Sequence, residues 1–191
     1  ISKQFTLIAA LALVAGFIGH ARAAIVVETP ASFNFVPNAT YPVTALSNYD
    51  ATGADKLVVV ISTELGFGDD PVTGMTFGGV TNNFQEAISH ENSSGLQNVY
   101  IYYLDATSVA GGFGVGDLVI EGSGDNDFGG ALFEITGTAD GVTQVGGGDG
   151  NSATLSSVGS GSLVIGGYVD NSGGPALAPG SDFTLAYTDE V

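Results

Sequence analysis

Short apolar runs, separated by polar and glycine-rich stretches, recur along most of the chain. The runs are rich in Val, Ile, Phe and Tyr, and the stretches between them in Gly, Asp, Asn and Ser, which is typical of strands joined by turns. After the first 23 residues no apolar pattern keeps a 3.6-residue period over three turns. The pattern predicts about nine strands, at Ile25–Glu28, Leu57–Ser62, Met75–Phe77, Phe84–Ser89, Val99–Leu104, Leu118–Glu121, Ala131–Thr136, Leu163–Val169 and Phe183–Tyr187.

Two of these runs are apolar on both faces, and the others alternate. Leu57–Ser62 and Val99–Leu104 are therefore predicted to be central strands that are covered on both sides. In the segment ALFEITG, the side chains of Ala131, Phe133 and Ile135 share one face, and the intervening residues share the other. Strands of this number and length predict an all-β fold, specifically a two-layer antiparallel β-sandwich of jelly-roll-like form.

The N-terminal apolar run is better explained as a signal peptide than as a membrane anchor. It extends from Phe5 to Gly19, about 15 residues, whereas a membrane-spanning helix needs about 20 and a signal-peptide core about 7–15. Lys3 precedes the run, and the small residues Ala21 and Ala23 follow it. The alternatives are a retained anchor or pilin-like helix, or a buried helix.

The predicted organisation is thus a signal-peptide helix at residues 1–23 and a single β-sandwich domain at residues 24–191. The chain begins with Ile and ends on the segment YTDEV with no evident terminal signal. We therefore expect the domain to be truncated at its C-terminus.

Composition and charge narrow the classes of function. The chain has no cysteine, which excludes a disulfide framework and thiolate chemistry. It carries 20 Asp and Glu against 3 Lys and Arg, a formal net charge of −17. Lys3 and Arg22 would leave with the signal peptide, so that Lys56 alone would remain. Such an excess of carboxylates repels nucleic acid and anionic membrane surfaces, and it favours solubility and divalent cations.

A series of segments carries a family resemblance. In order they are DKLVVVIST, VTGMTFGGV, NVYIYYLDAT, DLVIEGSG, GALFEITGT, SLVIGGYVDNSGG and FTLAYTDEV. From Asp55 to Val191 the chain resembles a group of exported bacterial β-sandwich proteins. Many of these belong to the PEP-CTERM class, surface proteins sorted by an exosortase in exopolysaccharide-producing bacteria.

The segments that carry this resemblance are strand and turn patterns, and the sorting tail that defines the class is not within this sequence. What the resemblance implies is a secreted or cell-surface location and a structural, matrix or adhesion role. The implied partners are extracellular polysaccharide or other matrix proteins, and no catalytic residues carry over.

Catalytic chemistry is poorly supported. His20 lies in the signal peptide, which leaves His90 as the only imidazole, and no Gly-x-Ser-x-Gly motif is present. His90 is interpreted as a strand-end or loop residue. Glu86 and Glu134 are the best candidates for the paired carboxylates of a glycoside hydrolase. The Glu-x-Asp-x-Glu strand signature of many sandwich glucanases is missing, and there is no Trp. We therefore expect no enzymatic activity.

Two acidic segments are candidates for calcium binding. Asp69 and Asp70 lie in the segment GFGDDPVTG, and Asp125, Asn126 and Asp127 lie in GSGDNDFGG. Glycines on both sides would let carboxylate and carbonyl oxygens converge in a turn, as the flexible coordination of Ca²⁺ requires. Neither segment is a complete EF-hand loop. The same residue types also form ordinary solvated turns, so both interpretations stay open.

The tyrosines suggest an alternative binding function. Three of them share a predicted central strand and are expected to pack in the core: Tyr100, Tyr102 and Tyr103. Three others are candidates for exposed rings that contact glycans: Tyr41, Tyr49 and Tyr187. The leading hypothesis is a non-catalytic secreted or cell-surface protein with a structural, matrix or adhesion role. Ca²⁺ binding and association with exopolysaccharide are secondary parts of this hypothesis, which the sequence leaves open. A carbohydrate-binding module is the alternative.

Overall fold

The computed structural model describes residues 24–33, 39–64, 72–79, 84–91, 97–123, 125–141 and 162–167. The predicted signal-peptide helix at residues 1–23 and the predicted strand at Phe183–Tyr187 lie outside these ranges. The strands are β1 (Val26–Val27), β2 (Ala31–Phe33), β3 (Ala39–Thr40), β4 (Val43–Asp50), β5 (Lys56–Glu64), β6 (Val72–Phe77), β7 (Gln85–Glu91), β8 (Gln97–Asp105), β9 (Val115–Gly122) and β10 (Asp125–Thr136). A 3-10 turn at Ala106–Ser108 follows β8.

The strands form two antiparallel sheets. The large sheet has the order β1-β10-β5-β8-β7, with β2 and the two-residue β3 also paired to the long strand β10. The small sheet has the order β4-β9-β6. Successive strands after β3 alternate between the sheets, except for β7 and β8, which are neighbours. The prediction of an all-β fold with two antiparallel sheets, as in a β-sandwich, is confirmed.

The main core takes buried residues from both sheets. We call this cluster the inner core; it includes Leu57, Tyr100 and Phe128 from the large sheet and Met75 and Leu118 from the small one. All five are at most 1% exposed. Because each sheet has one apolar face, burying these faces against each other supplies most of the hydrophobic stabilisation.

The two strands predicted to be central, β5 and β8, are neighbours in the middle of the large sheet. Alternate residues of both strands face the inner core. On the other face, β5 is covered at Val58, whereas β8 is only partly covered at Ile101 and Tyr103. The central position is thus confirmed, and the coverage of β8 is incomplete on the outer side.

The alternation predicted for β10 is also confirmed. Ala131, Phe133 and Ile135 join Val58 in a second cluster on the outer face of the large sheet, which we call the outer cluster. Leu132 instead points into the inner core. The large sheet is therefore apolar on both faces, and each face has its own cluster.

Strand β10 begins six residues before the predicted start at Ala131. The segment GSGDNDFGG, expected to be a Gly-flanked turn, therefore contributes strand residues from Asp125 onward. Gly130 allows close packing: a Cβ on this residue would lie 2.2 Å from the carbonyl oxygen of Val60 and 2.7 Å from the ring of Phe33. Glycine usually suggests a turn, but here it is required because the neighbouring strands β5 and β2 approach β10 closely.

Strands β2, β3 and β4 were not predicted. Strand β4 is rich in polar residues, and its pairing with β9 shifts register between Thr44 and Leu46 and again between Leu46 and Tyr49. Asn48, in the second shift, has a φ of 52°. Such irregularities break the two-residue period by which a strand is recognised in a sequence.

The strand predicted at Leu163–Val169 is wrong over the part that the structure describes, residues 162–167, where no strand is present. Ile165 packs against the outer cluster, and a Cβ on Gly167 would lie 2.5 Å from a methyl group of Val60. The segment lies over the outer face of the large sheet and does not extend it. Of its apolar side chains, only that of Ile165 is partly buried, whereas Leu163 and Val164 are 38% and 37% exposed. The apolar run therefore contacts the sheet face through one side chain and does not pair as a strand.

Replacement of Gly130 tests the close approach of β10 and β5. We expect Gly130→Ala to lower the free energy of unfolding by about 1–3 kcal/mol or more, because the added methyl group meets backbone that cannot move aside. The measurement is urea unfolding followed by circular dichroism. Gly114→Ala is the matched control, since its Cβ would meet nothing within 4 Å. Equal stability of the two variants would contradict the packing.

Candidate functional sites

A buried ion pair lies at one end of the large sheet. Lys56, the first residue of β5, and Asp105, the last residue of β8, are direct partners in the strand register. Lys56 is only 6% exposed and Asp105 only 5%. The ammonium group of Lys56 donates to Oδ1 of Asp105. We call these two residues the end pair.

The turn after β10 completes the environment of the end pair. Nζ of Lys56 donates to the carbonyl oxygen of Gly141 at 3.0 Å, and the amide N–H of Gly141 donates to Oδ2 of Asp105 at 2.8 Å. The same Nζ lies 5.0 Å from the ring centre of Tyr103. An ammonium has three N–H donors, and here a carboxylate, a carbonyl and an aromatic face surround it. Gly141 has a φ of 78°, in the left-handed region that glycine adopts without strain.

Further hydrogen bonds hold this turn in place. Oδ2 of Asp55 accepts from the backbone N–H of Gly137 at 2.6 Å, and the carbonyl of Asp55 accepts from the N–H of Ala106 at 2.8 Å. The hydroxyl of Thr107 donates to Oδ2 of Asp140 at 2.9 Å. These hydrogen bonds connect three segments around the end pair: the start of β5, the 3-10 turn after β8 and the turn after β10.

Sequence reasoning identified Lys56 as the last remaining cation but did not place it in a site. Its isolation was the available signal, because it is the only Lys or Arg after residue 22. Burial of a charged pair is costly unless every polar atom finds a partner. In the end pair, both oxygens of Asp105 accept a hydrogen bond.

Glu134 takes part in a contact between the two sheets. The hydroxyl of Tyr49, on β4, donates to Oε1 of Glu134, on β10; we call this the inter-sheet contact. The ring of Tyr49 packs edge-on against Phe77, with 6.4 Å between centroids. Burial, the hydrogen bond to Glu134 and its negative charge all raise the pKa of Tyr49. The hydroxyl therefore stays protonated and remains a donor.

Glu86 lies elsewhere in the large sheet. Its carboxylate accepts hydrogen bonds from Ser89 at 2.7 Å and from Tyr102 at 3.1 Å. Strands β5 and β8 separate Glu86 from Glu134, which places their backbones about 14 Å apart across the sheet. Glycoside hydrolysis uses two carboxylates about 5–10 Å apart. This geometry gives no support to Glu86 and Glu134 as a hydrolytic pair.

Two tyrosines expected to be exposed are instead packed against the inner core. Tyr41 stacks on Phe128 with 5.9 Å between ring centroids. Its hydroxyl is buried without a hydrogen-bond partner among the described residues, and this burial raises its pKa to about 12. Tyr49 packs there as described above. The expectation of glycan-binding rings at Tyr41 and Tyr49 is wrong, and Tyr187 lies outside the described residues.

The prediction that three tyrosines of β8 pack in the core holds for two of them. Tyr100 and Tyr102 are buried in the inner core and stack on each other. Tyr103 packs against the outer cluster and is partly exposed. His90 lies on β7 near its end and is half-buried, in agreement with its interpretation as a strand-end residue.

The calcium candidates are only partly described. Asp125, Asn126 and Asp127 lie in strand β10, so the expected turn at these residues is corrected to a strand that pairs with β3 and β5. Their side chains, together with the residues Asp69 and Asp70, lie outside the described part of the structure. Elsewhere in the described ranges, no group of three or more His, Asp or Glu could hold a metal ion.

Phenylalanine substitutions compare the hydroxyl of Tyr49, which donates a hydrogen bond, with that of Tyr41, which has no hydrogen-bond partner among the described residues. We expect Tyr49→Phe to lower the free energy of unfolding at pH 7 by about 1 kcal/mol, because it leaves Glu134 without its donor. Tyr41→Phe is the matched control and should be neutral or slightly stabilising, because it removes a buried hydroxyl that lacks a partner. Urea unfolding of both variants is the measurement, and the reverse order of stabilities would contradict the assignment.

The raised pKa of Tyr41 also sets a pH dependence. A tyrosine whose pKa is higher in the folded state contributes stability below its unfolded pKa of about 10, and that contribution is lost as the pH rises toward about 12. Wild-type stability should therefore fall between pH 9 and pH 11.5 by more than that of Tyr41→Phe. Parallel curves would show that Tyr41 titrates as an exposed group.

Among the described residues there is no helix of the length and hydropathy needed to cross a membrane. Neither a protein-family model, nor a curated protein, nor a solved structure matches this chain.

Proposed function

We propose that this chain is a non-catalytic, exported protein with a structural, matrix or adhesion role at the cell surface or in the extracellular matrix. One observation carries the proposal. At the end pair and the inter-sheet contact, polar side chains pair with each other across strands that are far apart in sequence. Buried polar groups that are paired in this way hold a scaffold in a single arrangement.

The charge distribution supports the same function. Lys56 is the only Lys or Arg after residue 22, and it is buried. The surface of the described domain therefore carries carboxylates with no lysine or arginine among them. Such a surface keeps a protein dispersed, and it can contact an acidic polymer only across bridging cations. A neutral polysaccharide, or an acidic one bridged by Ca²⁺, is the partner that we propose.

The strand order supports a jelly-roll-like form of the sandwich. A jelly roll consists of two Greek keys, and its chain passes repeatedly from one sheet to the other. The order β1-β10-β5-β8 in one sheet and β4-β9-β6 in the other fits that scheme. Strand β7 departs from it, because it pairs with β8 and does not extend the small sheet. We propose a jelly-roll variant with this one displaced strand.

Export with removal of residues 1–23 is the first test of this function. In a host with a general secretion pathway, we expect the full chain to leave the cytoplasm and to begin at Ala24, as read by N-terminal sequencing of the purified protein. Leu13→Arg breaks the apolar run and should retain the protein in the cytoplasm with residues 1–23 intact.

A wild-type protein that stays in the membrane fraction with an uncleaved N-terminus would contradict the proposal and favour a retained anchor. Gly114→Ala serves as a control for export. It adds a methyl group beyond the leader that meets nothing within 4 Å, and it should leave both export and cleavage unaffected.

Calcium binding stays a prediction for Asp69, Asp70, Asp125, Asn126 and Asp127. In the register of β10 and β5, the acidic residues Asp127 and Glu64 are paired. We expect chelation to lower the melting temperature, because an ion at 100 times its Kd stabilises the folded state by about 2.7 kcal/mol. Differential scanning calorimetry in Ca²⁺ and in chelator is the measurement.

Two double variants locate the ion. Asp125→Asn with Asp127→Asn should abolish the calcium effect if this strand holds it, and Asp69→Asn with Asp70→Asn should do so if the other segment does. Identical melting curves of the wild type in Ca²⁺ and in chelator would refute calcium binding without affecting the export result.

A further inference from the structure

We propose that Lys56 and Asp105 are joined by an intramolecular amide bond, which the end pair forms after folding with loss of one water molecule. The proposal goes beyond the structural or adhesion role, since it assigns a covalent modification to two particular side chains. It rests on their register, their burial and the groups that surround them.

The register keeps the two reacting groups together. Lys56 and Asp105 are direct cross-strand partners on the two central strands of the large sheet, and their side chains are already in contact. The effective concentration of groups held in this way is far higher than that of free groups in solution, and an attack that is slow between separate molecules becomes feasible.

The end pair is shielded from water. The side chains of Lys56 and Asp105 are 7% and 6% exposed. In the proposed reaction, a proton of Lys56 passes along its hydrogen bond to Oδ1 of Asp105, which leaves an amine and a carboxylic acid. The amine is then a nucleophile, and the acid contains a leaving hydroxyl group.

The step balances without any other reactant. The lone pair of Nζ of Lys56 forms a bond to Cγ of Asp105, and the bond from Cγ to Oδ1 breaks. Oδ1, which already holds one transferred proton, takes a second from Nζ and leaves as water. The product is a secondary amide between the two side chains, and no oxidant or reductant is consumed.

Gly141 lies where such a reaction needs a donor and an acceptor. Its N–H donates to Oδ2 of Asp105 at 2.8 Å, the oxygen on which negative charge develops as Cγ becomes tetrahedral. Its carbonyl accepts from Nζ of Lys56 at 3.0 Å and so orients the amine. The ring of Tyr103 covers Nζ. Gly141 and Tyr103 are therefore positioning residues for the proposed bond.

The bond would suit a chain of this composition. It has no cysteine, so a disulfide cannot restrain its unfolded state. An amide between two central strands would close a covalent loop across 49 residues and would resist reduction. No other Lys follows residue 22, so this one position could form such a link.

Intact-mass spectrometry and trypsin test the proposal on the full-length wild type, after cooperative unfolding shows that the purified protein is folded. We expect a mass about 18 Da below the sequence value, the loss of one water. Trypsin under denaturing conditions should also fail to separate residues 23–56 from 57–191, because an acylated Lys56 is not cleaved. Tandem spectrometry should identify a peptide that joins residues 56 and 105.

Three variants distinguish this bond from other losses of water. Lys56→Arg keeps a cation and a tryptic site but cannot form the amide, and Asp105→Ala removes the carboxyl group. Both should have the full sequence mass and be cut at residue 56, a result that holds even if they unfold. Glu121→Gln changes an exposed carboxyl group on the small sheet and should keep both the mass loss and the resistance.

A succinimide at Asp140-Gly141 or Asp149-Gly150 would also remove water but would leave Lys56 open to trypsin. A folded wild-type protein with the full sequence mass would overturn the proposal. A lighter protein that trypsin cuts at Lys56 would do so equally, and the end pair would then be an ion pair alone.

Discussion

Strand β5 is paired along its whole length on both sides, and the rest of the structure is arranged around it. Its nine residues are in register with β8 on one edge and with β10 on the other. This register decides which side chains face the inner core, because a slip of one residue would turn every side chain to the opposite face. Leu57, Val59 and Ile61, all fully buried, would then be lost from the core. The same register brings Lys56 beside Asp105.

The large sheet buries apolar residues on both faces, and the two faces are covered in different ways. The small sheet covers the inner face, so that two amphipathic layers satisfy each other. On the outer face, residues 162–167 lie against Val60 and the outer cluster. Val26 and Val27, at the edge in β1, remain partly exposed.

The polar groups buried among the described strands connect elements of the fold to each other. Tyr49 and Glu134 connect the two sheets, and the end pair connects two central strands to the turn at Gly141. Each contact joins segments far apart in sequence, and each involves atoms that would be costly to bury without a partner. Contacts of this kind hold the described strands in a single arrangement.

The strand-rich apolar pattern, the central position of β5 and β8 and the alternation along β10 could be deduced from sequence, because side-chain periodicity is a local property. Strand β4 could not, since its bulges break that period. Gly130 of β10 suggested a turn, and only the close approach of the neighbouring strand showed why no side chain fits there. For the end pair, the sequence alone showed a single lysine in an acidic chain. Only the pairing of β5 with β8 placed Asp105 beside it, because a contact across 49 residues depends on strand register and leaves no periodic trace in the sequence.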